Sequence, residues 1–297
     1  TLRLSLSVLT SMTALSEVTV KSISKVTLPE GVAVDQPVIS PDGKWVVSSA
    51  GEYLQRIELK NGKTTRLADA DGAFEVRISP DGSQVAWLDA SINADKRRMV
   101  ALKSVGSDGK NLQTIVEPTR KLSTGVGFTG NTVSAVADGA LKKRALKGKE
   151  AATTDPVASI SYGHLNITDA NGVTTTIDPQ GKGSYLWPQV SPDGTKVVYW
   201  CVGQGCFVTD LDGSNPRPLG ELRAAVWAGN DLIIGMRDVD DGMVLISSEL
   251  IASDLDGNHT VLTPADLIAL YPSASRKGDR IAFNTAAGEL YIMDIKK

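Results

Sequence analysis

The chain has 297 residues, 41% of them hydrophobic, and a formal net charge of −3. That is ample apolar material for a large core, and the balance of charge creates no global field that favours nucleic acid. Two histidines, His164 and His259, limit histidine-based metal chemistry, and no apolar run approaches the roughly 20 residues a bilayer span requires.

Residues 1–19 read as an extension or a signal-peptide remnant. Arg3, an apolar Ser-rich middle and small residues at 14–16 fit the end of a secretory signal. Leu2, Leu4, Leu6 and Val8 also alternate with Arg3, Ser5 and Ser7, which is strand periodicity. Both readings stand.

From residue 20 onward one unit repeats. "SPDG" occurs at 40–43, 79–82 and 191–194, each time followed by a strand-like run: "KWVVSS", "QVAWLD" and "KVVYWC". Pro presets φ for the second position of a type I turn, Ser suits the first and Gly the fourth. Each SPDG is therefore the tip of a β-hairpin. Degenerate copies lie at 126–136, 225–235 and 272–283, with turns at Gly130-Asn131, Gly229-Asn230 and Gly278-Asp279. A second hairpin, an apolar strand with a Gly turn and a short outer strand, follows at 53–67, 99–115, 164–177, 206–219 and 250–263; the last, 289–297, stops after its third strand.

Units of four short strands, at a period of roughly 40 to 60 residues, predict an all-β fold. The expectation is a six-bladed β-propeller of four-stranded antiparallel blades over residues 20–297. The alternating segment 20–28 supplies the missing last strand, closing the ring and removing an open edge. Only 140–152, within the third unit, also carries a helical pattern.

These units resemble the PDG-type propeller repeat of TolB-like proteins. The same repeat occurs in the propellers of prolyl oligopeptidases, dipeptidyl peptidases and tricorn protease. The resemblance spans about residues 20–297 and implies the fold far more than the function. TolB-like proteins place an α/β domain ahead of the propeller, whereas about 20 residues precede the repeats here. The G-x-S-x-G elbow of the peptidase relatives does not occur. Oligogalacturonate lyases, which also resemble this propeller, gather several histidines around a metal; His164 and His259, both in outer hairpins, do not form that cluster.

In this register the A–B tips and C–D turns share one face, the turn face. The B–C loops and D–A connections share the other, the loop face, where variable segments make function expected. The D–A connections bring Asp35, Gln36, Glu75, Tyr185, Trp187, Arg223 and Tyr271 toward the channel mouth as candidate ligand-binding residues. Asp35 and Glu75 could meet there for acid–base work. The longest B–C loop, 138–163, carries Lys142, Lys143, Arg144, Lys147 and Lys149, and the preceding blade carries Lys96, Arg97 and Arg98. Together they form a candidate basic patch for an acidic partner or glycan. No aromatic residues interleave with these charges, so nucleic acid is not expected. Trp45, Trp87 and Trp200 fall on B strands and should pack between blades. The Asp-rich turns near Asp210 and Asp238 lack the sixth-position Gly and helical flanks of an EF-hand; no metal or cofactor is expected.

Cys201 and Cys206 flank the loop "VGQG". A four-residue hairpin loop can set its flanks opposite each other, about 4.5–5.5 Å apart at Cα, within disulfide range. The spacing is not the C-x-x-C of a redox dithiol, and no second Cys pair is available for zinc. A disulfide, and with it an oxidising compartment, is expected.

The functional expectation is a non-catalytic, exported TolB-like propeller, periplasmic or extracellular. It is monomeric and binds a protein, glycan or peptide through its loop face and axial mouth. The alternatives are a carbohydrate- or peptide-processing enzyme using acids at the axial pocket, and a sensor or scaffold propeller of a larger envelope complex.

Overall fold

The structure is a computed structural model that describes residues 18–49 and 51–297. The two readings of the N-terminal extension concern residues that fall almost wholly outside that range. The first strand, β1 (Thr19–Lys25), belongs to the last sheet. Blade 1 is β2 (Asp35–Ile39), β3 (Trp45–Ser49), β4 (Tyr53–Glu58) and β5 (Thr64–Asp69). Blade 2 is β6 (Ala73–Ile78), β7 (Gln84–Ile92), β8 (Arg98–Gly106) and β9 (Gln113–Thr119). Blade 3 has β10 (Gly127–Thr129), β11 (Thr132–Ala137) and β12 (Ala140–Ala145), and blade 4 has β13 (Val157–Ser161), β14 (His164–Thr168) and β15 (Thr174–Thr176). Blade 5 is β16 (Tyr185–Val190), β17 (Lys196–Cys201), β18 (Gly205–Asp210) and β19 (Arg217–Gly220). Blade 6 is β20 (Arg223–Trp227), β21 (Leu232–Asp240), β22 (Leu245–Asp254) and β23 (His259–Val261). Blade 7 is β24 (Ala269–Ala274), β25 (Arg280–Thr285) and β26 (Leu290–Lys296), with β1 antiparallel to β26.

The described residues thus form seven sheets, not six. The expected third blade is two three-stranded blades. The supposed loop 138–163 contains β12 and β13, and the segment with the helical pattern begins as strand β12. The cause is local turn chemistry. Asp138-Gly139 has φ of 55° and 73°, and Tyr162-Gly163 has φ of 51° and 82°. Positive φ at both central residues makes a two-residue turn whose twist suits a hairpin. Each turn therefore folds its flanking residues into antiparallel strands, Ala137 opposite Ala140 and Ser161 opposite His164. Thr124, leading into β10, bridges Ile160 of β13 antiparallel. Strand β13 therefore runs opposite to the first strands of the other blades.

The SPDG tips fold as the turn argument requires. In the first, the Gly43 N–H donates to the Ser40 carbonyl at 2.9 Å with Gly43 at φ 70°. The Ser40 hydroxyl does more than suit the turn. It is buried, donates to Asp42 Oδ1 at 2.7 Å and accepts from the Trp45 N–H at 3.1 Å. Ser79 and Ser191 repeat this arrangement.

Apolar residues gather between blades. Leu54 and Val47 meet Val85 and Trp87 between blades 1 and 2, and Leu88 and Leu102 meet Val133 between blades 2 and 3. Leu165 and Ile167 meet Tyr185 and Tyr199 between blades 4 and 5. Val198 and Val208 meet Ile233 and Ile251 between blades 5 and 6, and Ile234 and Leu250 meet Phe283 and Met293 between blades 6 and 7. Each fully buried side chain of this kind contributes roughly 1.5–3 kcal/mol. Trp45 and Trp87 sit in the first of these clusters and Trp200 packs against that of blades 5 and 6. The junction of blades 7 and 1 is carried by Ile39, Val46 and Ile57 against Ala282, Leu290 and Ile292. Strand β1 extends the last sheet outward, with most of its side chains exposed.

The expected disulfide is absent: Cys201 and Cys206 are free and buried. Register is the reason. Cys201 pairs with Gly205, and Cys206 pairs with Trp200. The two thiols therefore sit in successive cross-strand pairs and point to opposite faces of the sheet. Cys201 joins the cluster toward blade 4 and Cys206 the cluster toward blade 6. Burial pushes the Cys206 thiol up to about 12 and raises that of Cys201. Both are inert core residues, and they carry no information about compartment.

Candidate functional site at the axial mouth

Five inner strands, β2, β6, β16, β20 and β24, share one irregularity. Their pairing breaks between Asp35 and Val38, Phe74 and Arg77, Leu186 and Gln189, Arg223 and Val226, and Leu270 and Ser273. Within each break one non-glycine residue is left-handed: Gln36 (φ 45°), Glu75 (52°), Trp187 (49°), Ala224 (47°) and Tyr271 (50°). Such a conformation costs on the order of 1 kcal/mol per residue. A bulge bends its strand and re-aims a side chain. All five residues line one cavity of about 310 Å³ at the axial mouth, with Asp35, Phe74, Arg77, Gln189 and Trp227.

The cavity's charges are nearly all paired. Glu75 Oε2 accepts from Arg77 at 2.8 Å. Arg77 and Gln189 also border a second cavity of about 390 Å³, which reaches Ser191–Gly194 on the turn face. Arg223 donates to Asp238 Oδ2 at 2.7 Å and lies 5.7 Å above the Trp187 ring. Asp238 is about nine-tenths buried, and its Oδ1 has no partner among the described residues. Asp35 alone of these acids has no cation partner among the described residues. Burial raises its carboxyl, against a hydrogen bond from the Gln36 backbone. Burial likewise raises the Tyr271 hydroxyl; Asp35 and Asp238 add to this and Arg223 opposes it. Tyr271 of blade 7 thus stands near charged groups of blades 1 and 6.

Of the seven expected mouth residues, Asp35, Gln36, Glu75, Trp187 and Tyr271 line this cavity, and Arg223 borders it through Trp187. Tyr185 does not. It is buried toward blade 4, its ring tilted on Tyr199 at 5.6 Å, its hydroxyl accepting from the Gln180 N–H and donating to Gly181 O. It precedes the bulge and so keeps ordinary strand alternation. Glu75 is committed to Arg77, so the mouth does not hold Asp35 and Glu75 as two free acids. Arg77 and Asp238 were not legible as mouth residues: Arg77 follows the break, and Asp238 reads as an ordinary Asp-rich turn. Among the described residues, no group of three or more His, Cys, Asp or Glu side chains is placed to hold a metal ion. No helix there is long and apolar enough to cross a membrane.

The expected basic patch is divided between the two faces. Lys96, Arg97 and Arg98 lie at the β7–β8 turn on the loop face. Lys142, Lys143 and Arg144 lie along β12, where Lys143 donates to the Ala151 carbonyl and Arg144 to that of Thr114. Lys147 and Lys149 fall on the turn face, since the flanking Leu146 and Ala151 amides bond to Asn131 and Thr132. The loop face instead concentrates exposed apolar side chains: Ile92, Tyr162, Leu186, Val202 and the β21–β22 tip with Met243 and Val244. Tyr162 is 91% exposed and Met243 93%.

The architecture has counterparts among solved structures. A structure described as "putative TolB" from Agrobacterium tumefaciens aligns over 89% of this chain and 90% of its own, at 18% identity and a TM-score of 0.52. A chain in the crystal structure of the mitotic checkpoint complex aligns over 94% of this chain and 96% of its own, at 13% identity and a TM-score of 0.63. No protein-family model and no curated protein matches the sequence. At such identities the likeness is one of fold, that of a β-propeller.

Proposed function

We propose that this propeller is a non-catalytic binding module that docks a protein on its loop face, with a segment of that protein entering the axial mouth. One observation carries the reading: five blades spend left-handed backbone to turn Gln36, Glu75, Trp187, Ala224 and Tyr271 onto a single cavity. Aromatic anchors in a concave site, ringed by exposed apolar groups, are the features of a binding hot spot. The propeller similar in fold from the mitotic checkpoint complex, itself a protein assembly, supports the same kind of use. The exported setting implied by the resemblance of the repeat belongs to this proposal.

Site-specific photocross-linking tests it in the native host. A benzophenone side chain at Tyr162 or Met243 should give a discrete cross-linked protein. The same group at Val173, exposed and apolar on the turn face, should not. Trp187→Ala should reduce the product about tenfold, the loss of one hot-spot side chain. Equal products from both faces, or none from the loop face, would refute the proposal.

A further inference from the structure

Beside the axial mouth, between blades 2 and 3, lies a further cavity of about 430 Å³ on the loop face. It is lined by Arg97, Arg98, Val100, Arg120 and Leu122. None of the three arginines has a carboxylate partner among the described residues. Asp138 pairs instead with Lys121 at 2.9 Å and Asp89 with Lys103 at 2.5 Å, while Asp95 and Glu117, close in sequence to Arg97 and Arg120, make no ion pair with them among the described residues. Arg98 lies 5.2 Å above the ring of Phe74, and Phe74 also lines the axial cavity. Phe74 therefore stands between the arginine site and the mouth.

Guanidinium groups present planar forks of donors that match carboxylates in pairs. Three of them around an apolar floor of Val100 and Leu122 suit an anionic group carried on an apolar backbone of contacts. The cavity is far larger than one inorganic anion fills. We infer that Arg97, Arg98 and Arg120 form the seat for an acidic segment of the docked protein, one in which carboxylates alternate with apolar side chains. The inference rests on the loop-face docking proposed above. It also fixes the orientation of the partner, whose acidic segment lies over blades 2 and 3 while its apolar surface covers Tyr162 and Met243 across the mouth.

The probe is a fluorescent glutamate-rich peptide with interspersed leucines, read by anisotropy at low salt, beside its glutamine-for-glutamate twin. The acidic peptide should bind and the twin should not. The triple substitution Arg97→Gln, Arg98→Gln, Arg120→Gln should weaken binding about tenfold or more. The triple Lys142→Gln, Lys147→Gln, Lys149→Gln removes the same charge elsewhere and should leave affinity unchanged. Equal losses in both triples would reduce the effect to net charge and overturn the inference. So would equal binding of the twin, or binding of inorganic phosphate at the arginines without binding of the peptide. The cross-linking assay separates the two proposals. If Trp187→Ala cuts the Met243 product about tenfold while the arginine triple leaves it intact, docking stands and the acidic-segment assignment falls.

Discussion

Two junctions in the ring are built by opposite means. Between blades 7 and 1, a cluster of buried aliphatic residues around Ile57 and Leu290 fills the space. Polar ties surround it: the Ile39 N–H donates to Ser273 Oγ at 3.0 Å and the Arg276 N–H to the Pro41 carbonyl at 3.2 Å. Between blades 3 and 4 the described residues form no apolar cluster of this kind. The blades meet there by backbone, with Thr124 and Ile160 exchanging N–H···O bonds at 3.0 Å in both directions. Gly125 and Gly127 occupy the seam, and the buried hydroxyls of Ser134 and Ser159 have no hydrogen-bond partner among the described residues. A packed junction tolerates small shifts of side chains. A seam of backbone contact requires the absence of a Cβ and gains little from hydrophobic burial.

That contrast predicts where the ring is brittle. Gly125 has φ of 123°, and a Cβ there would stand 2.3 Å from the Ala158 carbonyl oxygen. Gly125→Ala should therefore destabilise on the order of 4 kcal/mol, more than an ordinary core truncation. Chemical denaturation measures the loss, and hydrogen exchange should show it first in the amides of β13. A loss below about 1 kcal/mol would mean the seam is not held by close backbone approach. Leu290→Ala, at the packed junction, should cost about 3 kcal/mol through lost burial and a cavity. Its exchange signature should appear in β2 and β25, with β13 unchanged. If both variants open the same amides, the ring unfolds as one unit and the distinction between junctions is lost.

The same contrast explains what the sequence reveals. SPDG announces a turn by residue chemistry alone, so the A–B tips and the strands flanking them are legible. The packed junctions are legible too, because Trp45, Trp87 and the alternating aliphatic residues mark the faces that bury. Blades 3 and 4 lack a full set of such cues. Asp138-Gly139 is a strong hairpin signal, but Tyr162-Gly163 becomes a tight turn only because Tyr162 accepts φ of 51°. At the mouth, Asp35, Glu75, Trp187 and Tyr271 follow from repeat register. The bulges that aim them do not, since Gln36 and Ala224 carry no residue signature for left-handed backbone. Nor does the cysteine pair's true geometry, which turns on a one-residue difference in hairpin register, Cys201 opposite Gly205 rather than Cys206.

The smallest expected effect distinguishes the turn face from the packed junctions by pH. Asp81, in the blade 2 tip, feels burial that would raise its carboxyl. Hydrogen bonds from Ser79, from the Ser83 backbone and hydroxyl, and from Asn131 of blade 3 outweigh this and hold it at about 2. An unfolded Asp titrates near 4. A group whose folded pKa is depressed stabilises the fold above its unfolded pKa, and that stability is lost as pH falls through the folded value. Asp42 and Asp193, lowered in the equivalent tips, act with the same sign. The melting temperature should therefore decline as pH drops from about 4 to about 2. Asp81→Asn keeps an acceptor for Ser79 and Ser83 but cannot titrate, so its decline over that window should be shallower than that of the unsubstituted protein. Leu290→Ala should lower the whole curve without changing its slope there, since aliphatic packing is indifferent to protons. An unchanged slope in Asp81→Asn would mean that acid sensitivity resides in the ion pairs of the blade edges rather than in the turns that link one blade to the next.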